Sequence, residues 1–136
     1  MASYNTPTPT IGSEENLAYD LRQIYAVNLV GEHLQDVARA RKADNYNNYF
    51  KSLKDLWIIT QHKIKDKDKD APEKYKKLIM KAIQTMNQNS NALSKGSKNN
   101  IGKAMIEYSL NEIEMFLYDC LSNAGIFGSK WDDDGL

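Results

Sequence analysis

Residues 101–125 read IGKAMIEYSLNEIEMFLYDCLSNAG, and their large apolar groups, Met105, Ile106, Tyr108, Leu110, Ile113, Phe116, Leu117, Cys120 and Leu121, recur at helical steps of three and four. The spacing predicts a helix from about Ile101 to Ala124, closed by the left-handed conformation that Gly125 adopts without steric cost. Apolar residues cover more than half of its circumference, and Glu107, Asn111, Glu114 and Ser122 leave a narrow polar strip. One side of a small bundle needs less than that. The helix therefore either sits centrally among its neighbours or turns part of its surface to another subunit, and the sequence favours the first.

Three further helices are legible upstream. Ser13 reads as an N-cap with Glu14 and Glu15 in the positive first turn, followed by the stripe Leu17, Leu21, Ile24, Val27, Val30, Leu34 and Val37. At about 30 residues, roughly 45 Å, that helix is longer than its partners and either overhangs them or bends at Gly31. Asp44 is the expected cap of a second helix buried through Tyr46, Tyr49, Phe50, Leu53, Leu56, Trp57 and Ile64. Asp70-Ala71-Pro72-Glu73 predicts a reciprocal capping start for a third, with Tyr75, Leu78, Ile79, Ala82, Ile83, Met86 and Leu93 inward and a break at Ser94-Lys95-Gly96-Ser97. Connections this short imply antiparallel neighbours. The fold class is all-α: an antiparallel four-helix bundle over 13–125, an extended arm over 1–12 set by Pro7 and Pro9, and an aromatic-acidic tail over 126–136.

Composition sets outer bounds. A chain of 136 residues is one domain by length, and its lone Cys120, inside an apolar pattern, excludes an intramolecular disulfide and suits a reducing compartment. The longest apolar run, Leu56-Trp57-Ile58-Ile59, is far short of the roughly 20 residues of a spanning helix, so a soluble, cytoplasmic protein without membrane contact is expected. The net charge is zero, but residues 51–98 carry +7 while 1–50 carry −2 and 99–136 carry −5. Molecules with opposite ends are prone to pair with copies of themselves.

No catalytic constellation emerges. Asp66-Lys67-Asp68-Lys69-Asp70 begins like a calcium loop, but the sixth position is Ala71 rather than glycine and the twelfth is Lys77 rather than an acid. Neither His33 nor His62 has the glutamate three residues upstream that a bundle metal centre requires. No glycine-rich loop or serine elbow is present. His62-Lys63-Ile64-Lys65 resembles the phosphoacceptor stretch of histidine phosphotransfer domains, themselves four-helix bundles; Asp66 follows where those domains place glycine. The expectation is a nonenzymatic protein with no cofactor, metal or small-molecule substrate.

Two surfaces remain as candidate sites. Lys63, Lys65, Lys67, Lys69, Lys74, Lys76, Lys77 and Lys81 gather around one helix connection and could attract nucleic acid, nonspecifically and with steep salt dependence. Interleaved acids, and fifteen Lys against three Arg, weigh against base recognition. Beyond Gly125, Ile126, Phe127 and Trp131 precede Asp132-Asp133-Asp134, an apolar-acidic partner-binding element that docks on its own bundle or on another molecule. Its acidic tip resembles the C-terminal tail of bacterial single-stranded DNA-binding proteins, which implies partner recruitment. The function expected is a structural or adaptor protein that self-assembles as a homo-oligomer or binds a protein partner. Small size and paired extensions suit a virus-encoded assembly component or an accessory factor.

Overall fold

The computed structural model describes residues 29–126, and among them every regular element is helical and no strand occurs. Residues 29–42 form α1, followed by α2 (Tyr46–Lys67), α3 (Ala71–Gln88), a 3-10 turn (Ser90–Leu93) and α4 (Asn100–Asn123). The chain divides into two units between Glu32 and His33; of the first, only residues 29–32 are described, and all four are helical. The extended arm and the first helix's expected start at Ser13 lie outside the described residues, as does the tail from Phe127 onward.

Within the second unit α4 packs against α2, α3 and the 3-10 turn. Its inner face is Ile106, Leu110, Ile113, Leu117 and Leu121, all fully buried, and it meets Tyr49, Leu53, Leu56 and Ile64 of α2 in one core. Each such side chain contributes about 1.5–3 kcal/mol by leaving water. Trp57 stacks on Tyr75 with ring centroids 4.2 Å apart and planes 10° from parallel, joining α2 to α3. Two hydroxyls reach the core and satisfy themselves on the preceding turn: Thr60 donates to the Leu56 carbonyl at 2.6 Å and Ser109 to that of Ile106 at 2.8 Å.

The helix ends differ from the sequence-based expectation in three places. The residue capping α2 is Asn45, whose side chain accepts from the Asn48 N–H at 3.2 Å, whereas Asp44 takes a positive φ of 54° and closes α1. The Asp44 N–H donates to the Arg41 carbonyl at 3.2 Å and the Asn45 N–H to that of Ala40 at 3.0 Å, the paired bonds of a Schellman ending. Gly125 closes α4 with the same pair, onto Ser122 and Leu121, at a φ of 73° as its glycine predicts. The reciprocal cap expected of Asp70 is absent; the Asp70 N–H instead donates to Asp68 Oδ1 at 3.0 Å, bracing the connection from within.

The third difference is where α3 stops. It ends at Gln88, short of Leu93, with Asn89 as its cap: the Asn89 backbone N–H and side-chain amide both donate to the Thr85 carbonyl, at 3.1 and 2.9 Å. Leu93 accordingly belongs to the 3-10 turn, and Ile83, expected inside, is exposed. That turn presses Ala92 against the start of α4, where a Cβ on Gly102 would stand 3.0 Å from Ala92 Cβ and 2.6 Å from Asn99 Nδ2. Asn99 is itself pinned, accepting from the Gly102 N–H at 3.0 Å and donating to Asn91 at 2.9 Å. A side chain at 102 would therefore have to displace the Asn99 amide and crowd Ala92.

Candidate interaction surfaces

The polar strip expected on α4 is split by the fold. Glu114, predicted to face solvent, is buried, ion-paired with Arg41 of α1 and hydrogen-bonded by the Tyr49 hydroxyl of α2. Tyr49 Oη also lies 2.7 Å from the Asn111 side-chain amide. Burial first, and then the bond to Glu114, hold the Tyr49 phenol far above its usual range; the same two causes raise Tyr118. Arg41 is held more firmly protonated, chiefly by its hydrogen bond to Glu114. A carboxylate buried with three such partners is satisfied, and no buried side-chain nitrogen or oxygen among the described residues lacks a hydrogen-bond partner. This cluster ties α1, α2 and α4 together and presents no free acid or base to a substrate.

The opposite face of α4 is what the fold leaves unused. Ile101, Met105, Tyr108 and Met115 are 77%, 48%, 65% and 67% exposed, and with Glu112 they follow one another at steps of four, three, four and three. At 100° per residue that set falls within an arc of about 80°, running along about 21 Å of helix. Such spacing is that of the a and d positions of a helix that packs on another helix, here over two heptads with Glu112 at one of the positions. Lys81 of α3 edges it, with Nζ 3.0 Å from Glu112 Oε1 and 5.8 Å from the centre of the Tyr108 ring. An open apolar depression on the outer side of α3, around Met80 and Ile83, is a second and shallower exposure.

All eight candidate lysines are exposed: Lys63, Lys65 and Lys67 on α2, Lys69 in the connection, and Lys74, Lys76, Lys77 and Lys81 on α3. The hairpin places seven of them near the α2–α3 connection, while Lys81 lies farther along α3 beside Tyr108 and Glu112 of α4; residues two apart on a helix point in nearly opposite directions, so Lys63 and Lys65, like Lys74 and Lys76, diverge. Only Lys81 forms an ion pair among the described residues. Of the tail residues, Ile126 is half-buried and donates its N–H to the Leu121 carbonyl at 2.9 Å. Phe127, Trp131, Asp132, Asp133 and Asp134 lie outside the described residues.

Chemistry-bearing groups are scattered. Cys120 is buried, and burial foremost, with Asp68 and Asp119 adding to it against Lys74, pushes its thiol up to about 11. His62 is exposed on α2. Among the described residues no three His, Cys, Asp or Glu side chains stand close enough to hold a metal ion, and no helix is long and apolar enough to cross a membrane. Glu114 was hidden from the sequence because its partner Arg41 is 73 residues away and no spacing rule links them. That α4 is apolar over more than half its circumference was legible in the sequence, but Ile101 and Met115 were passed over there; what a sequence does not say is which arc of such a helix the core will leave outside.

A scan against protein-family models finds no match for this chain, and searches of curated proteins and of solved structures find none either.

Proposed function

We propose that this protein is a nonenzymatic structural or adaptor module that acts through self-assembly, an antiparallel four-helix bundle whose outer α4 face is its contact surface. One observation carries the reading: four large apolar side chains at heptad spacing stand in solvent along one arc of α4, directly behind a face that is fully buried. A helix that served the fold alone would be polar there. Apolar groups aligned in this way mark an interaction surface. The connections 43–45 and 68–70 support the antiparallel arrangement, since links of three residues join neighbouring helices.

The test is the native mass of the purified chain by light scattering on a size-exclusion column at moderate salt. A defined oligomer is expected, reduced to monomer by Tyr108→Glu together with Met115→Glu. A wild-type chain that stays monomeric at tens of micromolar overturns the proposal.

A second reading rests on the seven lysines at the α2–α3 end that carry no ion pair among the described residues: nonspecific binding of nucleic acid. Binding that weakens steeply with salt and disappears on reversing Lys74, Lys76 and Lys77 together would establish it, with the oligomer left intact. The divergence of neighbouring lysines ranks it below self-assembly.

A further inference from the structure

The geometry points to a second copy of this chain as the occupant of the α4 seam, packed antiparallel, α4 on α4, about a two-fold axis at Tyr108. This rests on the self-assembly reading and gives it a register. Two features of the seam lead there. The first is its symmetry about Tyr108: Ile101 lies seven residues before it and Met115 seven after, both more than two-thirds exposed or close to it at 77% and 67%. Turning the helix end for end about Tyr108 therefore sets Met115 of one copy on Ile101 of the other, and Tyr108 on Tyr108. An isologous contact of this kind buries the same patch on both partners and closes the assembly at two.

The second feature is charge. Lys98, exposed just before the Asn99 cap, lies ten residues ahead of Tyr108, and Asp119, exposed in the last turn, lies eleven behind it. Asp119 lies about 16 Å beyond Tyr108 along the helix, and Lys98 stands just ahead of the cap at the opposite end, so the antiparallel pairing brings the Lys98 end of each copy to the Asp119 end of the other, twice. A parallel pairing would instead put Asp119 against Asp119 and Glu112 against Glu112, which repels. Glu112 enters the antiparallel contact already paired with Lys81 of its own chain, 3.0 Å away, and falls opposite the small Ala104. The apolar positions match in either direction, and it is the charges that are complementary only when the two helices run in opposite directions.

Disulfide trapping in a Cys120→Ala background tests the register, on the full chain under mild oxidation. Tyr108→Cys is expected to cross-link with itself. Ile101→Cys and Met115→Cys alone are expected to stay monomeric on a nonreducing gel, and an equimolar mixture of the two to cross-link. Charge exchange checks the same geometry without a cysteine: Asp119→Lys should weaken the dimer roughly tenfold, and adding Lys98→Asp should restore it. Self-linking of Ile101→Cys and of Met115→Cys would establish the parallel register and overturn this one. A dimer by light scattering with no trapped pair and no rescue by charge exchange would overturn the α4 register while leaving self-assembly standing through another surface, the outer side of α3 or the segments outside residues 29–126 among them. A monomer would overturn both.

Discussion

The inner and outer faces of α4 are both rich in large apolar groups, and they differ in what the rest of the chain does with them. On the inner face Ile106, Leu110, Ile113, Leu117 and Leu121 are sealed by α2 and α3. Glu114 sits at the edge of that face and is kept there by Arg41 and Tyr49. On the outer face Ile101, Met105, Tyr108 and Met115 meet no element of the described chain that covers them. A polar residue has gone in and apolar ones have stayed out, so composition along a helix is a weaker guide to its environment than the partners each position finds. Burial of Glu114 depends on a satisfied network. Exposure of the outer stripe carries a solubility cost.

Paired truncations break the comparison most sharply. Leu117→Ala removes a fully buried side chain between helices and should lower stability by about 3 kcal/mol, the transfer loss plus the cavity it leaves. Met115→Ala, two residues away on the outside, should change the stability of the monomer by less than about 0.5 kcal/mol. Urea unfolding at low protein concentration, where any dimer has dissociated, reads both values. Equal losses at the two positions would mean that Met115 is covered within its own chain.

The edge of the inner face should respond next most strongly. Arg41→Ala strips Glu114 of its cationic partner and leaves a buried carboxylate held by Tyr49 and its neighbours. Removing one member of a fully buried pair costs about 3–5 kcal/mol. Arg41 is partly exposed, and water can re-solvate the opened site, so about 2 kcal/mol is expected by the same unfolding measurement. Arg41→Ala combined with Glu114→Leu should recover most of that loss, because the desolvated charge goes with its partner. Failure of the double variant to recover would place the worth of Arg41 in its aliphatic stem.

Gly102→Ala sharpens the comparison at the start of α4. By helix propensity alone alanine would stabilise this position by about 1 kcal/mol. Here the new methyl would crowd Ala92 of the 3-10 turn and displace the Asn99 side chain that caps the helix. Losing the cap costs about 1 kcal/mol, which cancels the propensity gain, and crowding Ala92 costs about 1 kcal/mol more, so a net loss of about 1 kcal/mol is expected. A gain in melting temperature would show that the turn yields easily.

How much of this was legible in the sequence follows from the range of each interaction. Stripes at three and four residues depend only on near neighbours, and they located α2 and α4, the start of α3 and the burial of Tyr49, Leu53, Leu56, Trp57 and Ile64, while overrunning the end of α3. Gly125 announced its own positive φ. The Arg41–Glu114–Tyr49 cluster was not legible, since it joins three helices distant in sequence. Nor was the arc of α4 left outside, because that depends on how neighbouring helices share its circumference. Capping fell between these cases: the right residue types were present, but Asp44 and Asn45 are both good caps, and the choice between them rests on which one closes the preceding helix.

That choice yields the smallest expected effect. Asp44 and Gly125 occupy equivalent positions in two Schellman endings, with φ of 54° and 73°. Glycine takes this conformation freely, whereas an L-residue is strained there, aspartate less than most because its short polar side chain tolerates it. Asp44 is exposed and its side chain makes no hydrogen bond among the described residues. Relief of strain in Asp44→Gly favours the folded state, while the greater freedom of glycine in the unfolded chain opposes it. The net gain should be about 0.5 kcal/mol, read as a rise in the urea midpoint with an unchanged slope. Gly125→Ala should move the midpoint the other way by about 1 kcal/mol, since alanine has neither the freedom of glycine nor the polar tolerance of aspartate. If both substitutions were neutral, the two endings would be bent by the elements that follow them rather than held by their own φ.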